Sequence, residues 1–289
     1  SHPSGTARGP RYIIQRVLAN AVHYGAAQNR PRLLLIACEE EFAKKNNIKV
    51  TDSIWKSDYF NQLTEEVPDL APVPTQVHHG VSAGEALSDL IWKKESSYSR
   101  FLKSKTVWSF LGDQGRLTNH NQRAHGSRAK RKFALYQLLH HFSLPVSLLK
   151  DHEDGGEFQK NFEFPSSLTF PLTLSDGGTI DDVGQLRKEL AHHLTRKHSQ
   201  RVISLESPSP TVLTAPDDYI HPLEPRAMTV REFARFQGFP DNFEFRAKET
   251  TGGLKRRTEV PQYSQVGNAV SPFLAFAIGE KLKTLLQTP

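Results

Sequence analysis

Two arginines near the start of the chain have the spacing of a paired binding element. Arg30 and Arg32 stand at positions i and i+2, directly before the apolar run Leu33-Leu-Leu-Ile-Ala37. Alternate side chains of a strand share one face, so both guanidinium groups would point the same way. Such a pair suits holding a base together with the backbone beside it. The alternative is a surface pair that makes ordinary ion pairs.

A glycine-containing turn near the C-terminus is a second candidate for binding. The string Gly267-Asn-Ala-Val270 stands just before Ser271-Pro272, which predicts the start of a helix. A turn at that place offers free backbone N–H groups and the positive end of the helix dipole, which suit a carboxylate or phosphate. Glycine turns before helices are also common without any function, so the residues alone leave both interpretations open.

The chain is positively charged overall, and its densest basic cluster lies near the middle of the sequence. The net charge is +6 and the sequence pI is near 9.3, which favours a polyanionic partner over a membrane. This cluster, over residues 126–132, contains Arg128, Lys130, Arg131 and Lys132, with Arg116 and Arg123 upstream. Together with Asn119-His120 these side chains are candidates for contacts to a DNA backbone. A solvated basic face is the alternative.

Histidine and cysteine usage argue against metal and disulfide chemistry. The adjacent histidine pairs point apart on a helix or strand, so they cannot converge on one ion, and we expect no metal site. The single cysteine, Cys38, excludes a disulfide within the chain and indicates a reducing intracellular compartment, either cytoplasmic and nucleoid-associated or nuclear. No apolar run approaches the roughly 18–20 residues of a membrane helix, so we expect no membrane association.

Periodicity predicts the elements that would position these residues. Apolar residues recur at helical spacing over positions 13–21, and residues 33–37 form a strand buried on both faces, so the chain opens with a helix–strand pair. A capping box, Ser82 with Glu85, starts a helix. We expect a charged helix over 185–198 and a mobile loop over 151–160. A last helix runs from Pro272 to about Leu286 and packs on the opening layer.

Another capping box, Thr229 with Glu232, begins a helix that should end at Gly238, because Pro240 follows. Its phenylalanines are predicted to be core: Phe233, Phe236 and Phe239. Three arginines of the same segment could pair with acids or touch phosphate: Arg226, Arg231 and Arg235.

Three blocks of this sequence resemble signature blocks of the DNA (cytosine-5) methyltransferases. They are NAVHYGAAQNRPR at residues 20–32, RAMTVREFARFQGFPDNF at 226–243 and QVGNAVSP at 265–272. Ala27 and Ser271 stand where the family usually has proline. The blocks occur in the family's order and span most of the chain, whereas the segment between the first and second is variable.

The resemblance implies an α/β fold in which a Rossmann-like methyltransferase layer carries a mixed α+β target-recognition domain. Residues 1–40 and 226–289 would belong to the catalytic layer, and residues 41–225 would recognise the target in double-stranded DNA. It places S-adenosyl-L-methionine beside Gly267, Asn268 and Ala269. It also brings Arg32 near the flipped cytosine and the catalytic loop, with Arg30 in a supporting or phosphate role. Structural support is implied for Gln28, Thr229, Arg231 and Glu232.

The residues that perform the family's chemistry do not occur in this sequence. The family uses a Pro-Cys thiolate that adds to C6 of cytosine, a Glu-Asn-Val acid and a Phe-x-Gly-x-Gly turn for the cofactor, and none of these strings is present. Cys38 follows alanine at the end of a predicted strand and is not a substitute. The first residues, Ser1-His-Pro-Ser-Gly-Thr, resemble the segment that follows Glu-Asn-Val.

We therefore expect the C-terminal half of a cytosine-5 methyltransferase, inactive until an N-terminal catalytic half joins it, in a restriction-modification or related DNA-methylation system. Two alternatives remain open from the sequence. The chain could be a non-catalytic DNA-binding protein derived from a methyltransferase, or part of an RNA cytosine-5 methyltransferase.

Overall fold

The computed structural model describes residues 9–58, 67–75, 80–104, 116–151, 156–250 and 258–287. Its strands are β1 (Tyr12–Asn20), β2 (Pro31–Glu39), β3 (Trp55–Lys56), β4 (Leu172–Thr173), β5 (Thr179–Ile180), β6 (Arg201–Val202) and β7 (Tyr219–Ile220). Its α-helices are α1 (Glu40–Lys45), α2 (Ala83–Trp92), α3 (Ser97–Leu102), α4 (Ser127–His141), α5 (Glu157–Asn161), α6 (Val183–His192), α7 (Val230–Gln237), α8 (Gln262–Asn268) and α9 (Pro272–Gln287).

The chain opens with a β-hairpin, so the helix predicted over positions 13–21 is wrong. β1 and β2 pair antiparallel along nine residues each, and a 3₁₀ turn at Ala21–Tyr24 follows β1. Gln15, Val17 and Ala19 are buried on one face of β1, which is the period of a strand. The apolar residues of this segment fit the period of a helix as well as that of a strand, and pairing with β2 selects the strand.

β2 forms as predicted, but it is not buried on both faces. Its outer face leaves Leu33 59% and Leu35 66% exposed, together with Tyr12 and Ile14 of β1. On the inner face, Leu274 of α9 packs into a cluster with Val17, Ala19, Tyr24, Trp55 and Ala71. The predicted packing of the last helix on the opening layer is thus confirmed. β3 pairs parallel with β1, so this layer extends beyond residue 40.

The middle of the chain forms a second core around α4. Residues of α4, α6 and the β4–β5 hairpin pack together, with Leu135, Leu139, Leu148, Ile180 and Leu186 fully buried. The Asp176-Gly-Gly turn joins β4 to β5 as a hairpin. The helix predicted over 185–198 is shorter, because α6 ends at His192 and residues 193–200 form a loop. Of the loop expected over 151–160, residues 152–155 lie outside the described chain, and α5 occupies most of the remainder.

Helix α7 lies at the centre of the largest core and begins as predicted. The Thr229 side chain accepts from the backbone N–H of Glu232, whose carboxylate accepts from the N–H of Thr229. Phe233 and Phe236 are fully buried, and Phe239 packs against them from a partly buried position. The capping box of α2 is also confirmed, with Ser82 at its N-cap. In the described ranges, no helix has both the length and the apolar character to cross a bilayer.

Gly238 ends α7 in a left-handed conformation with φ 91°, and the ring of Phe273 from α9 lies against it. A Cβ at this position would come within 2.2 Å of the Phe273 ring. Only glycine satisfies both the backbone conformation and the close approach.

We expect Gly238→Ala to lower the free energy of unfolding by about 3 kcal/mol, because it combines left-handed strain with overpacking. Gly177→Ala is the matched control, since Gly177 has φ +85° but a Cβ added there would meet no atom within 4 Å. The control should lose only about 1–2 kcal/mol. Urea unfolding measures both, and equal losses would show that the contact with Phe273 contributes nothing.

Candidate functional site

Arg30 joins three separate segments of the chain. Its side chain is 1% exposed. Nη2 donates to the carbonyls of Gly267 (2.6 Å) and Ala269 (3.0 Å), and Nη1 donates to the carbonyl of Val212 (3.2 Å). Burial and, second, the charge of Arg32 lower the pKa of Arg30 to about 10, so the group stays charged at neutral pH. Arg30 is therefore a structural hub, which agrees with a supporting role, and its burial leaves it little access to a phosphate.

Gln28 supports the same junction, as predicted for a structural residue. Its Oε1 accepts from the backbone N–H of Val212 at 3.0 Å and from Nη1 of Arg30 at 3.4 Å. The neighbouring backbone bonds to Ser209, which aligns the two segments. The start of β2 is thereby fixed against the residues that follow β6.

The turn at Gly267–Ala269 is built differently from the expectation. Gly267 and Asn268 end α8, and the N–H of Ala269 donates to Val266, so this N–H is not free for an anion. Gly267 is buried, and a Cβ added to it would lie 2.7 Å from the Leu213 carbonyl oxygen. The side chain of Asn268 is exposed and that of Ala269 is half-buried. The linker between α8 and α9 therefore exposes the Asn268 amide, which can both donate and accept hydrogen bonds.

Arg32 lies on the inner face of β2 and is partly exposed. Its Nη1 donates to the carbonyl of Pro31 at 2.8 Å. A guanidinium has five N–H donors, so this single bond leaves capacity for a ligand. Unlike Arg30, Arg32 is thus placed where it could contact a substrate.

The three arginines of the α7 region all make internal contacts. Arg226 forms a two-point ion pair with Glu232 (2.9 and 2.8 Å). Arg235 bridges Asp89 and Asp241 at 2.5 and 2.6 Å. Arg231 donates to the carbonyls of Thr118, Pro240 and Phe243. All three side chains are buried, so the suggestion that they touch phosphate is wrong, and the suggestion of acidic partners holds for Arg226 and Arg235.

Asn119 and His120 belong to this network. The Asn119 amide donates to the carbonyl of Phe245 (2.8 Å) and accepts from the Phe245 N–H (2.9 Å). His120 Nδ1 lies 3.0 Å from the Thr229 hydroxyl. These contacts hold residues 118–120 against α7. Asn119 and His120 therefore have a structural role, and their contact with a DNA backbone stays a prediction.

The basic cluster lies at the N-terminal end of α4. Arg128 and Lys130 are exposed, whereas Arg131 pairs with Asp176 at 3.1 Å and Lys132 is partly buried. Arg123 pairs with Asp217 at 2.7 Å. The structure brings these residues together on one surface, far along the chain from the Arg30 junction.

The loop after α6 lies beside this basic cluster, and the sequence does not indicate it. Residues 193–200 follow α6, and Lys197 reaches the second oxygen of Asp217 at 3.3 Å. The basic string Thr195-Arg-Lys-His198 marks this loop in the sequence, but the sequence prediction places it in a charged helix. Among the described residues, no group of three or more His, Cys, Asp or Glu is arranged to hold a metal ion.

The sequence profile described as C-5 cytosine-specific DNA methylase matches residues 8–284. Type II methyltransferase M.DdeI of Desulfomicrobium norvegicum is 25% identical over 277 residues, covering 94% of this chain and 54% of that protein. Type II methyltransferase M.AquIB of Picosynechococcus is 36% identical over 118 residues, covering 40% of this chain and 83% of that protein. The solved structure of an E. coli prophage-encoded protein, described as a DNA modification methyltransferase, aligns with TM-score 0.49 and 18% identity over 95% of this chain and 61% of that chain.

The described part of the chain is a mixed α/β fold in which one buried arginine joins three segments and basic residues gather at the N-terminal end of α4. The profile match over nearly the whole chain specifies the class further: this chain belongs to the C-5 cytosine-specific DNA methylase family. It spans about half the length of M.DdeI.

We expect Arg30→Lys to lower the free energy of unfolding by about 1–3 kcal/mol, because an ammonium cannot reproduce the planar fork that spans three carbonyls. Arg32→Lys is the matched control and should change stability by less than about 0.5 kcal/mol. Chemical denaturation of both variants tests this difference. A loss of the same size in Arg32→Lys would contradict the assignment of Arg30 as the hub.

His221 makes the stability of the α7 region depend on pH. Its Nδ1 accepts from the backbone N–H groups of Leu223 (3.2 Å) and Glu224 (3.0 Å), so a proton there would face two donors. Burial, opposed by the charge of Glu232, lowers the pKa of His221 to about 4. In the unfolded chain His221 takes up a proton near pH 6.5, whereas in the folded chain it does so only near pH 4. The free energy of unfolding therefore falls as the pH drops from about 6.5 toward 4, by up to about 3 kcal/mol.

His221→Asn should flatten this dependence, because an amide oxygen can accept the same N–H groups but does not titrate. The measurement is the free energy of unfolding between pH 7 and pH 4.5 for both proteins. His120 and His125 titrate in both, so they cancel in the comparison. Identical pH slopes would rule out His221 as the source.

Proposed function

We propose that this chain is the C-terminal part of a DNA (cytosine-5)-methyltransferase and completes the base and cofactor pockets of a catalytic N-terminal half. The sequence contains no Pro-Cys nucleophile and no Glu-Asn-Val acid. Cys38 is half-buried at the end of β2, where burial and then the charge of Glu39 raise the pKa of its thiol. That environment disfavours the thiolate, so Cys38 does not replace the missing nucleophile.

The observation that carries the proposal is the apolar surface of the hairpin and of α9. Tyr12, Ile14, Leu33 and Leu35 share the outer face of the sheet and are all exposed. On α9, Phe276 is 70% exposed, and Leu282 and Leu286 are exposed as well. Apolar patches of this kind mark interaction surfaces.

The edge of the hairpin supports the same proposal. In the described part of the chain β2 lies at the edge of its sheet, with nine residues of backbone available for further pairing. A long apolar edge strand is a template for another strand. A Rossmann-like layer from the catalytic half would extend the sheet past β2 and cover its outer face. In this arrangement residues 1–40 and 226–289 return to that layer together with α1 and β3, which contact the hairpin, while the remainder of residues 41–225 recognises the target.

One relative supports a separately encoded arrangement. The match to M.AquIB takes up 83% of that protein but only 40% of this chain, so M.AquIB is itself a much shorter polypeptide. Both M.AquIB and M.DdeI carry the name of Type II methyltransferases. We therefore propose a restriction-modification setting for this chain, with double-stranded DNA as the substrate.

In the assembled enzyme the residues of this chain bind and position. Arg32, partly exposed beside the hub, would contact the flipped cytosine. The Asn268 amide and the backbone near Ala269 would line one side of S-adenosyl-L-methionine, which supplies the methyl group when bound. Arg30 fixes both contacts relative to each other, because it bonds the linker that carries Asn268 and stands two residues from Arg32.

The proposal predicts that methyl transfer requires both halves. The purified chain should show no transfer of labelled methyl groups from S-adenosyl-L-methionine to duplex DNA, whereas co-expression with a polypeptide that carries the Pro-Cys and Glu-Asn-Val motifs should give activity. Methylation by this chain alone would refute the split. Binding of duplex DNA without activity in any combination would favour the non-catalytic alternative, and methylation of tRNA alone would favour the RNA enzyme.

Surface variants locate the interface in the same assay. Leu35→Asp and Phe276→Asp should each abolish association, because docking would bury an unpaired charge. Val183→Asp is the matched control: Val183 is an exposed apolar residue at the start of α6, remote from the hairpin. Association is measured by sedimentation of the two halves. Normal complexes with Leu35→Asp and Phe276→Asp would refute docking through this face.

A further inference from the structure

A loop that the family resemblance does not cover lies beside the basic end of α4. After α6 ends, residues 193–200 lead into β6. Arg196, Lys197, His198 and Arg201 are all exposed, with the Arg196 side chain 90% accessible. The loop lies about seventy positions away from α4 in sequence, yet Arg128 Nη2 of α4 donates to the His192 carbonyl at 3.3 Å.

A single carboxylate connects the two basic segments. Asp217 accepts from Arg123 Nη1 through Oδ1 (2.7 Å) and from Lys197 Nζ through Oδ2 (3.3 Å). Burial opposes ionisation of Asp217, but the hydrogen bond from Arg123 and the charges of Arg123 and Lys197 lower its pKa. The carboxylate thus stays charged and holds residue 123 and residue 197 at a fixed separation.

The loop backbone is held rigidly from beneath by a buried lysine. Lys150 Nζ donates to the carbonyls of Lys197 (2.6 Å) and Gln200 (3.2 Å) and to the Tyr136 hydroxyl (2.9 Å). The Gln200 amide donates to the Asp217 carbonyl at 2.6 Å. An exposed basic loop fixed in this way loses little conformational entropy when its side chains bind a partner.

Positive charge on this surface is only partly neutralised. Burial and then the charge of Lys197 lower the pKa of Lys132. Burial, then the charges of Arg201 and Lys132, lower the pKa of Lys150 to about 8. Asp217 pairs with Arg123 and Lys197, and Asp151 pairs with Arg196, so the carboxylates of this surface neutralise only part of its positive charge. Such a concentration of like charge costs folding energy, which a bound polyanion would offset.

We propose that the start of α4 and the loop after α6 form one DNA-backbone surface, in which Lys197 and Arg201 contact phosphates and Asp217 and Lys150 position the loop. A polyanion with regularly spaced charges suits exposed cations from two segments, since sequence-independent affinity for DNA comes from Lys and Arg contacts to phosphate. The inference rests on the proposed DNA substrate. It adds residues that lie outside the basic cluster recognised from the sequence.

The test is the salt dependence of binding to a fluorescent duplex of about 30 base pairs and arbitrary sequence, measured by anisotropy with the whole chain. Lys197→Ala/Arg201→Ala should lower the slope of log Kobs against log salt by about two, and reduce affinity at about 0.1 M salt on the order of tenfold or more. The charge-retaining pair Lys197→Arg/Arg201→Lys should keep the wild-type slope.

Lys44→Ala/Lys45→Ala is the matched control, because it removes two exposed cations from α1 and leaves the same net charge as the test variant. It should bind as the wild type does. If the loop and control variants lose affinity equally, only net charge matters and the loop surface is refuted. If Arg128→Ala/Lys130→Ala weakens binding while the loop variant does not, the loop is refuted although the DNA substrate stands.

A parallel titration with tRNA separates this inference from the proposed function. A loop-dependent slope on tRNA with no binding of duplex would refute the DNA substrate and with it the DNA assignment of the loop. No binding of either nucleic acid by the wild type would overturn both. A loop-dependent slope on the duplex supports the surface whether or not methylation is reconstituted.

Discussion

The hydrogen bonds of one buried guanidinium determine how the described part of this protein is assembled. Arg30 connects the beginning of the hairpin's second strand, the segment at Val212 and the linker between the last two helices. The bond to Val212 alone joins residues 182 positions apart in sequence. A charged fork in a buried site costs desolvation, which the bonds of Nη1 and Nη2 offset in a fixed geometry, whereas the buried Nε of Arg30 has no hydrogen-bond partner. The position of Arg30 therefore constrains the backbone of all three segments at once.

A second group of buried charges fixes how the segments around α7 pack together. Although burial opposes it, hydrogen bonds from Arg235 and Lys103 lower the pKa of Asp89 to about 2. Burial lowers the pKa of Arg226, but the hydrogen bonds and the charge of Glu232 outweigh it and raise that pKa. Buried pairs of this kind contribute little net stability compared with apolar packing, but breaking one leaves an uncompensated charge. They select one arrangement of α2, α7 and the segment after it over competing ones.

Local signals are predictable from the sequence, and long-range ones are not. The starts of α2 and α7 follow from capping boxes, which depend on residues three positions apart. The first strand has the periodicity of a helix as well, because Ile13, Ile14, Val17 and Leu18 satisfy both periods, and only pairing with β2 distinguishes them. The exposure of Leu33 and Leu35 depends on what covers the sheet, which no local pattern reports. The same limit applies to the site: the resemblance gives Arg30 a supporting or phosphate role, and only its long-range hydrogen bonds to Val212, Gly267 and Ala269 show that it is buried between three segments.

The exposed hairpin face also bears on how such a protein is produced in a cell. A chain that carries a nine-residue edge strand with exposed leucines and a helix with exposed apolar residues is prone to pair with its own copies when no other surface is available. Its solubility would then depend on the ratio in which it is synthesised relative to whatever covers that face. Synthesis of the two polypeptides in matched amounts would therefore limit self-association of this chain.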